Sequence, residues 1–106
     1  MTVGNLEQEY LNLQQQIRNV LIQKETIKLQ LTEIDSALEE LKNSKEDNVY
    51  KVVGNVMIKK SKNDVEKELS EAKEDLQIRV SNLEKIEKDL IEKIKKVEEK
   101  LKERGG

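Results

Sequence analysis

The chain has 106 residues, of which 40% are charged, with 20 Lys plus Arg and 22 Asp plus Glu. It contains no Phe, Trp, Pro, Cys or His, and its aromatic residues are Tyr10 and Tyr50. These counts exclude a core built on large aromatic side chains, a disulfide framework, a zinc–thiolate site and a histidine general base. The formal net charge of −2 lacks the basic excess that nucleic-acid binding by counterion release requires. The composition is typical of a coiled coil, with disorder as the alternative.

A heptad pattern begins near the N-terminus and predicts a first long helix over residues 2–43. The positions of this first seam are Leu6, Tyr10, Leu13, Ile17, Val20, Lys24, Ile27, Leu31, Ile34, Leu38 and Leu41. All but Lys24 are apolar, and a phase kept over about five heptads predicts a left-handed coiled coil and argues against disorder. We expect looser packing around Lys24, because a charged side chain there interrupts the apolar stripe.

A second heptad pattern predicts another helix of similar length over residues 64–104, with Asp64 as its N-cap and 105–106 as a flexible end. The second seam consists of Val65, Leu69, Ala72, Leu76, Val80, Leu83, Glu87, Leu90, Ile94, Val97 and Leu101. The additional step of four between Leu76 and Val80 is a stutter, which is expected to unwind the supercoil locally. Two arms of similar length predict an antiparallel two-helix coiled coil in a mainly α single domain over 1–106.

Residues 44–63 predict a linker and a β-hairpin, because two β-branched runs flank Gly54-Asn55. Gly first in a two-residue loop predicts a type II′ turn that pairs Val53 with Val56. Both hairpin faces are apolar near the turn, and an isolated two-stranded sheet is marginally stable at best. We therefore expect the hairpin to assemble with other subunits into an intersubunit sheet or β-barrel, with a simple connector as the alternative. The residues of this hairpin surface are Val49, Tyr50, Val52, Val53, Gly54, Val56, Met57 and Ile58.

The order helix, hairpin, helix, with the run from Val49 to Lys60 at its centre, resembles the beta-type subunits of prefoldin. Gln14-Gln15-Gln16 in the first arm and the run from Arg79 to Lys85 in the second are also similar. The resemblance covers nearly the whole chain, and the hairpin is its most specific part. A single hairpin resembles the beta type, because alpha-type subunits carry two. The Lys-, Glu- and Ile-rich composition is similar to thermophilic archaeal members.

The resemblance implies a cytoplasmic heterohexamer of two alpha and four beta subunits. Their hairpins would form a double β-barrel body from which six coiled-coil arms extend. Such an assembly is a holding chaperone that binds unfolded proteins without ATP and passes them to a group II chaperonin. It is no enzyme and has no catalytic residues, cofactor or metal. Neither nucleic acid nor a membrane is an expected partner, since apolar runs such as Val20-Leu21-Ile22 fall far short of the roughly 20 residues of a span.

The free ends of the two arms are the expected site for unfolded clients, because seam residues that splay apart there would present apolar surface. These tip residues are Val3, Leu6, Tyr10, Leu11, Leu13, Ile94, Val97 and Leu101. Each contact would be weak, and several tips around one cavity would raise the avidity. Ordinary seam packing to the end of the helices is the alternative for these residues.

Two other functions remain open alongside the chaperone. The first is a structural scaffold or tether that the hairpin oligomerises. The second is an arm that grips RNA, which is disfavoured because acidic residues outnumber basic ones in the first arm. Lys59, Lys60 and Lys62 are either a small anion patch or, more simply, a solvated strand end.

Overall fold

The computed structural model describes residues 4–105. In chain order it contains α1 (Asn5–Asn43), β1 (Asn48–Val53), β2 (Val56–Ser61) and α2 (Lys62–Gly105). The mainly α fold with a central antiparallel hairpin confirms the sequence-based prediction. Within residues 4–105, neither helix carries a stretch long and apolar enough to cross a lipid bilayer. The chain divides into two compact units, one formed by residues 4–27 with 79–105 and the other by Lys28–Ile78. The assignment to a single domain stays a prediction.

The first unit pairs the start of α1 with the end of α2 around an apolar core. The core residues are Leu13, Val20, Leu90, Ile94 and Val97, and Leu6, Tyr10, Ile17, Leu83 and Leu101 pack against them. Every one of these residues is a predicted seam position. Arg104 Nη2 lies 3.1 Å from Glu7 Oε1, and Lys24 Nζ lies 2.7 Å from Glu87 Oε1. The separation between the two ion pairs is the same along α1 as along α2. Both pairs therefore fit one antiparallel register of the two helices.

The second unit contains the end of α1, the hairpin and the start of α2. Its seam positions are half-buried rather than buried, and they are Leu31, Ile34, Leu38, Leu41, Val65, Leu69, Ala72 and Leu76. An ion pair joins the two helices here, with Lys73 Nζ 2.7 Å from Asp35 Oδ1. The predicted seam is therefore present in this unit, with looser packing than in the first. α2 is helical through the stutter between Leu76 and Val80, and the effect of the stutter on the supercoil stays a prediction.

The start of α2 differs from the sequence-based expectation. Ser61 Oγ accepts a hydrogen bond of 3.2 Å from the backbone N–H of Asp64, and the helix begins at Lys62. Ser61 is therefore the N-cap, and the prediction of Asp64 in that role is wrong. Asp64 stands three residues further on, in the first turn, where its carboxylate is close to the positive end of the helix dipole. The strand β2 consequently leads into α2 without an intervening loop.

The hairpin has the predicted register. Val53 pairs with Val56, Val52 with Met57 and Lys51 with Ile58. Gly54 has a φ of 59°, and among residues 4–105 no residue other than glycine has a positive φ. A positive φ at the first loop position followed by a negative one at the second is the type II′ pattern. A glycine is needed at that first position because an L side chain rarely adopts this conformation.

Candidate functional site

The hairpin surface exposes apolar side chains on both of its faces. Tyr50, Val52 and Met57 lie on one face and are 62 to 67% exposed. Val53, Val56 and Ile58 lie on the other and are 42 to 58% exposed. Val49 is half-buried at the base. In the part of the chain described, the sheet has two strands, so the outer edge of each strand is also without a neighbour. Apolar faces with open edges are features of a surface that pairs with further strands.

Polar contacts fix the base of the hairpin to α2. The Glu68 carboxylate accepts a hydrogen bond of 2.5 Å from Lys60 Nζ, and Lys51 Nζ lies 3.6 Å from its other oxygen. The hydrogen bond from Lys60 lowers the pKa of the Glu68 carboxyl below its ordinary value of 4.5. These three residues orient the hairpin relative to the first turns of α2, which the sequence pattern did not reveal.

The linker before the hairpin is held by Lys62. Its backbone N–H donates to the Asp47 carbonyl at 2.9 Å, and its ammonium donates to the Ser44 carbonyl at 2.8 Å. Lys62 and Lys60 thus both make contacts within the fold. This arrangement favours the simpler interpretation of the lysines around 59–62 over an anion patch.

The tip residues are brought together by the structure, but most are buried. Leu13, Ile94 and Val97 are only 4 to 9% exposed. Leu6, Tyr10 and Leu101 are half-buried against them. Val3 lies outside the described residues. Leu11, which lies off the seam, is 57% exposed.

The expectation that seam residues splay apart at the tip is therefore wrong for this structure. The two helices reach the same end of the unit with apolar partners facing each other as far as Leu101. The ion pair between Glu7 and Arg104 lies across the helices at that end. The tip is closed, so a ligand that uses its core residues has to open the seam.

A polar layer crosses the core of the first unit where the two seams each carry one charged residue. Lys24 Nζ donates to Glu87 Oε1 at 2.7 Å, and the two side chains are 14 and 20% exposed. The hydrogen bond to Glu87 raises the pKa of Lys24, partly offset by burial. The looser packing expected at Lys24 is replaced by this ion pair. Sequence reasoning missed Glu87 as the partner, although its position in the second seam was a signal.

A family model of the prefoldin subunit matches residues 5–106. The chain belongs to the prefoldin subunit family. It is 44% identical over 70 residues to the prefoldin subunit beta of Archaeoglobus fulgidus, covering 65% of this chain and 60% of that protein. It is 41% identical over 71 residues to the prefoldin subunit beta of Thermococcus onnurineus, covering 66% and 61%. The aligned segment thus spans about three fifths of the length of these curated relatives.

The fold of this prefoldin-family chain is also similar to a solved structure. The crystal structure of the prefoldin beta subunit from Thermococcus strain KS-1 superposes with a TM-score of 0.84. The match has 35% sequence identity and covers 93% of this chain and 88% of that one. These findings confirm the predicted resemblance to archaeal beta-type prefoldin subunits. Within residues 4–105, no cluster of three or more acidic residues is arranged to hold a metal ion.

Proposed function

We propose that this chain is a subunit of an ATP-independent holding chaperone that captures unfolded polypeptides and delivers them to a group II chaperonin. It would assemble with alpha-type subunits and further beta-type copies into a cytoplasmic heterohexamer of two alpha and four beta subunits. The observation that carries the proposal is the hairpin surface, exposed on both faces, in a chain of the prefoldin subunit family.

Assembly through the hairpin follows from the energetics of its exposed residues. Burial of apolar surface contributes about 25 cal/mol per Å². Val52 and Met57 are 67 and 65% exposed, and Val53 and Val56 on the opposite face are more than half exposed. Neighbouring hairpins would cover these faces and pair the open strand edges. A β-barrel between subunits does both, because closing a sheet into a barrel removes its edges.

Client binding at the tip would require the closed seam to open. Leu13, Ile94 and Val97 are the apolar side chains that opening exposes, and an unfolded client offers apolar side chains to cover them. The exchange replaces one buried contact by another, so each tip binds weakly and with little selectivity. Several arms around one cavity raise the effective concentration of binding sites for the same client. Binding unfolded rather than native chains suppresses aggregation without a chemical step.

The test uses the full assembly with an alpha-type subunit and a chemically denatured client whose aggregation is followed by light scattering. Removal of residues up to Tyr10, or of residues from Ile94 on, should abolish the suppression of aggregation. The number of subunits in the assembly should be unchanged, because the hairpin remains intact. Unchanged suppression with both truncations contradicts client binding at the tip.

The closed tip also favours a second candidate function. If Leu13, Ile94 and Val97 remain buried in the assembly, the arms are rigid spacers and the chain is a structural scaffold that the hairpin oligomerises. The same truncation series separates the two functions. A scaffold keeps its assembly state and shows no suppression of aggregation even before truncation.

A further inference from the structure

Charge is distributed very unevenly between the two helices of the first unit. Arg18 is the only charged residue from Tyr10 to Gln23 of α1. In α2 from Glu84 to Arg104, by contrast, every residue outside the seam is charged except Ile86 and Ile91. Both helices of a coiled coil have flanks exposed to solvent, so solvation alone predicts similar numbers of charged residues on the two. The uncharged side of α1 therefore calls for an explanation of its own.

The side of α1 opposite its seam carries mostly uncharged residues. Residues three or four positions apart share a face of a helix, and residues nine apart lie on opposite faces. Ile22 is consequently opposite Leu13, which is a core residue. The residues of this amide face are Gln8, Leu11, Gln15, Asn19 and Ile22, all of them exposed, and the exposed Arg18 lies at its margin, three residues after Gln15 and four before Ile22. Leu11 is 57% and Ile22 is 59% exposed, so two aliphatic side chains stand among amides.

The amide side chains of this face retain hydrogen-bonding capacity. Gln15 Nε2 donates to Asn19 Oδ1 at 3.3 Å, and Gln8 Nε2 donates to Asn12 Oδ1 at 3.4 Å. A primary amide has two donors and an acceptor with two lone pairs. Each pair uses one donor and one acceptor, which leaves the other groups for a ligand. Such groups bind a peptide N–H or C=O equally well and do not select for charge.

We propose that the amide face binds extended segments of unfolded polypeptide, as a client surface additional to the tip core. This inference rests on the proposed function as a holding chaperone. Leu11 and Ile22 are eleven residues apart, about 16 Å along the helix axis. An extended chain covers that distance with about five residues. Apolar client side chains at that spacing contact Leu11 and Ile22, and the amides bind the client backbone between them.

The amount of apolar surface argues against a second copy of this chain as the occupant. A stable protein–protein interface buries roughly 800 Å² on each partner. Two aliphatic side chains about 16 Å apart provide only a small part of that area. They suit a weak ligand that brings its own unsatisfied backbone groups. An unfolded chain has such groups along its whole length.

The test measures binding of fluorescently labelled, carboxymethylated lactalbumin, a permanently unfolded polypeptide, by anisotropy. The protein is the full chain assembled with an alpha-type subunit. Leu11→Glu/Ile22→Glu should weaken binding about tenfold, which corresponds to about 1.4 kcal/mol. The matched control is Ile86→Glu, because Ile86 is 49% exposed on the charged helix of the same unit. The control should change binding by less than about twofold.

Two further variants show whether a change in binding is caused by the loss of contacts or by added charge and altered folding. Leu11→Gln/Ile22→Gln removes the aliphatic contacts without adding charge and should weaken binding by a similar factor. Gln15→Glu/Asn19→Asp is isosteric and should shift the binding preference of the assembly from acidic towards basic unfolded peptides. Circular dichroism should show the same helicity for all variants.

The outcomes separate this inference from the function on which it rests. Unchanged binding in Leu11→Glu/Ile22→Glu, together with loss of binding on truncation from Ile94, overturns the amide face and leaves the tip as client site. An equal loss in Ile86→Glu also overturns it, because the effect is then one of general charge. A change in the mass of the assembly on altering Leu11 and Ile22 identifies a second copy as the occupant, again against the inference. Absence of lactalbumin binding by the unmodified assembly overturns both proposals.

Discussion

Lys24 and Glu87 occupy facing positions in the two seams, and their charged groups meet at 2.7 Å inside the apolar core of the first unit. The two residues break the apolar pattern of their own helices, yet each is the partner of the other. A polar pair in a coiled-coil core is satisfied in one register, and any axial slip leaves both charges against apolar neighbours. The pair therefore specifies how the helices align, together with the ion pair between Glu7 and Arg104.

Replacement of Lys24 and Glu87 by leucine tests how much the ion pair contributes to the thermal stability of the chain. We expect Lys24→Leu and Glu87→Leu each to lower the melting temperature, because each leaves a half-buried charge without its partner. The double variant should be at least as stable as the unmodified chain, since an apolar pair needs no desolvation of charge. Thermal unfolding followed by circular dichroism measures both effects. A double variant that is less stable than either single variant contradicts this interpretation.

The raised pKa of Lys24 gives the pair a defined pH dependence. A group whose pKa is higher in the folded than in the unfolded chain contributes stability that is complete below the unfolded value. That contribution is lost as the pH rises through the folded value, which here lies above 10.5. The difference in melting temperature between the unmodified chain and Glu87→Gln should therefore be constant from pH 6 to 9. A marked change within that interval is inconsistent with Lys24 as the titrating group.

The contribution of Glu68 to the stability of the hairpin base should change with pH in the acidic range. Its pKa is lowered below 4.5, so its contribution is present above that value and is lost as the pH falls through the folded pKa. Glu68→Gln should slightly accelerate amide hydrogen exchange in β1 and β2 at pH 7, and the difference from the unmodified chain should shrink as the pH falls below 4.5. Glu71→Gln, three residues along the same helix, is the matched control. Equal effects of the two variants at pH 7 argue against the Lys60–Glu68–Lys51 contacts as the hairpin anchor.

Loss of the N-cap of α2 tests the boundary between strand and helix. Ser61→Ala should destabilise the chain by about 1 kcal/mol, because the Asp64 backbone N–H loses its acceptor. Asp64→Ala should cost less, since it removes only the interaction with the helix dipole. Urea unfolding of both variants decides the order. A larger loss for Asp64→Ala contradicts Ser61 as the N-cap and supports the role that the sequence alone suggested for Asp64.

Substitutions in the hairpin surface test the route of assembly. Val52→Asp and Ile58→Asp lie on opposite faces, and each should disperse the assembly while the arms remain helical, because a charge on either face resists burial between subunits. Leu29→Asp is the matched control, since Leu29 is 65% exposed on α1. Size-exclusion chromatography with light scattering gives the masses. An unchanged mass in both hairpin variants rules out the hairpin as the assembly surface.

Local patterns were sufficient to predict much of this fold. The seam positions and the hairpin register follow from spacing within one segment, and the structure confirms them. The type II′ turn at Gly54 also follows from two adjacent residues. These features depend on periodicity and turn chemistry, which act over a few residues.

The features that were missed depend on the alignment of segments distant in sequence. Glu87 becomes the partner of Lys24 only when the register between the helices is known. Burial of Leu13 and Val97 at the tip likewise depends on how far the two helices extend beside each other. The N-cap is a different case, because Ser61 and Asp64 have the spacing of a capping motif, and this local signal is sufficient to predict Ser61 as the cap.

The most direct test of the proposed function is the aggregation of a chemically denatured client, measured by light scattering in the absence of ATP. The assembly of this chain with an alpha-type subunit is added at stoichiometric amounts to the diluted client. A holding chaperone should suppress the scattering, and later addition of a group II chaperonin with ATP should release the client in native form. Scattering that rises as fast with the assembly as without it contradicts the proposed function.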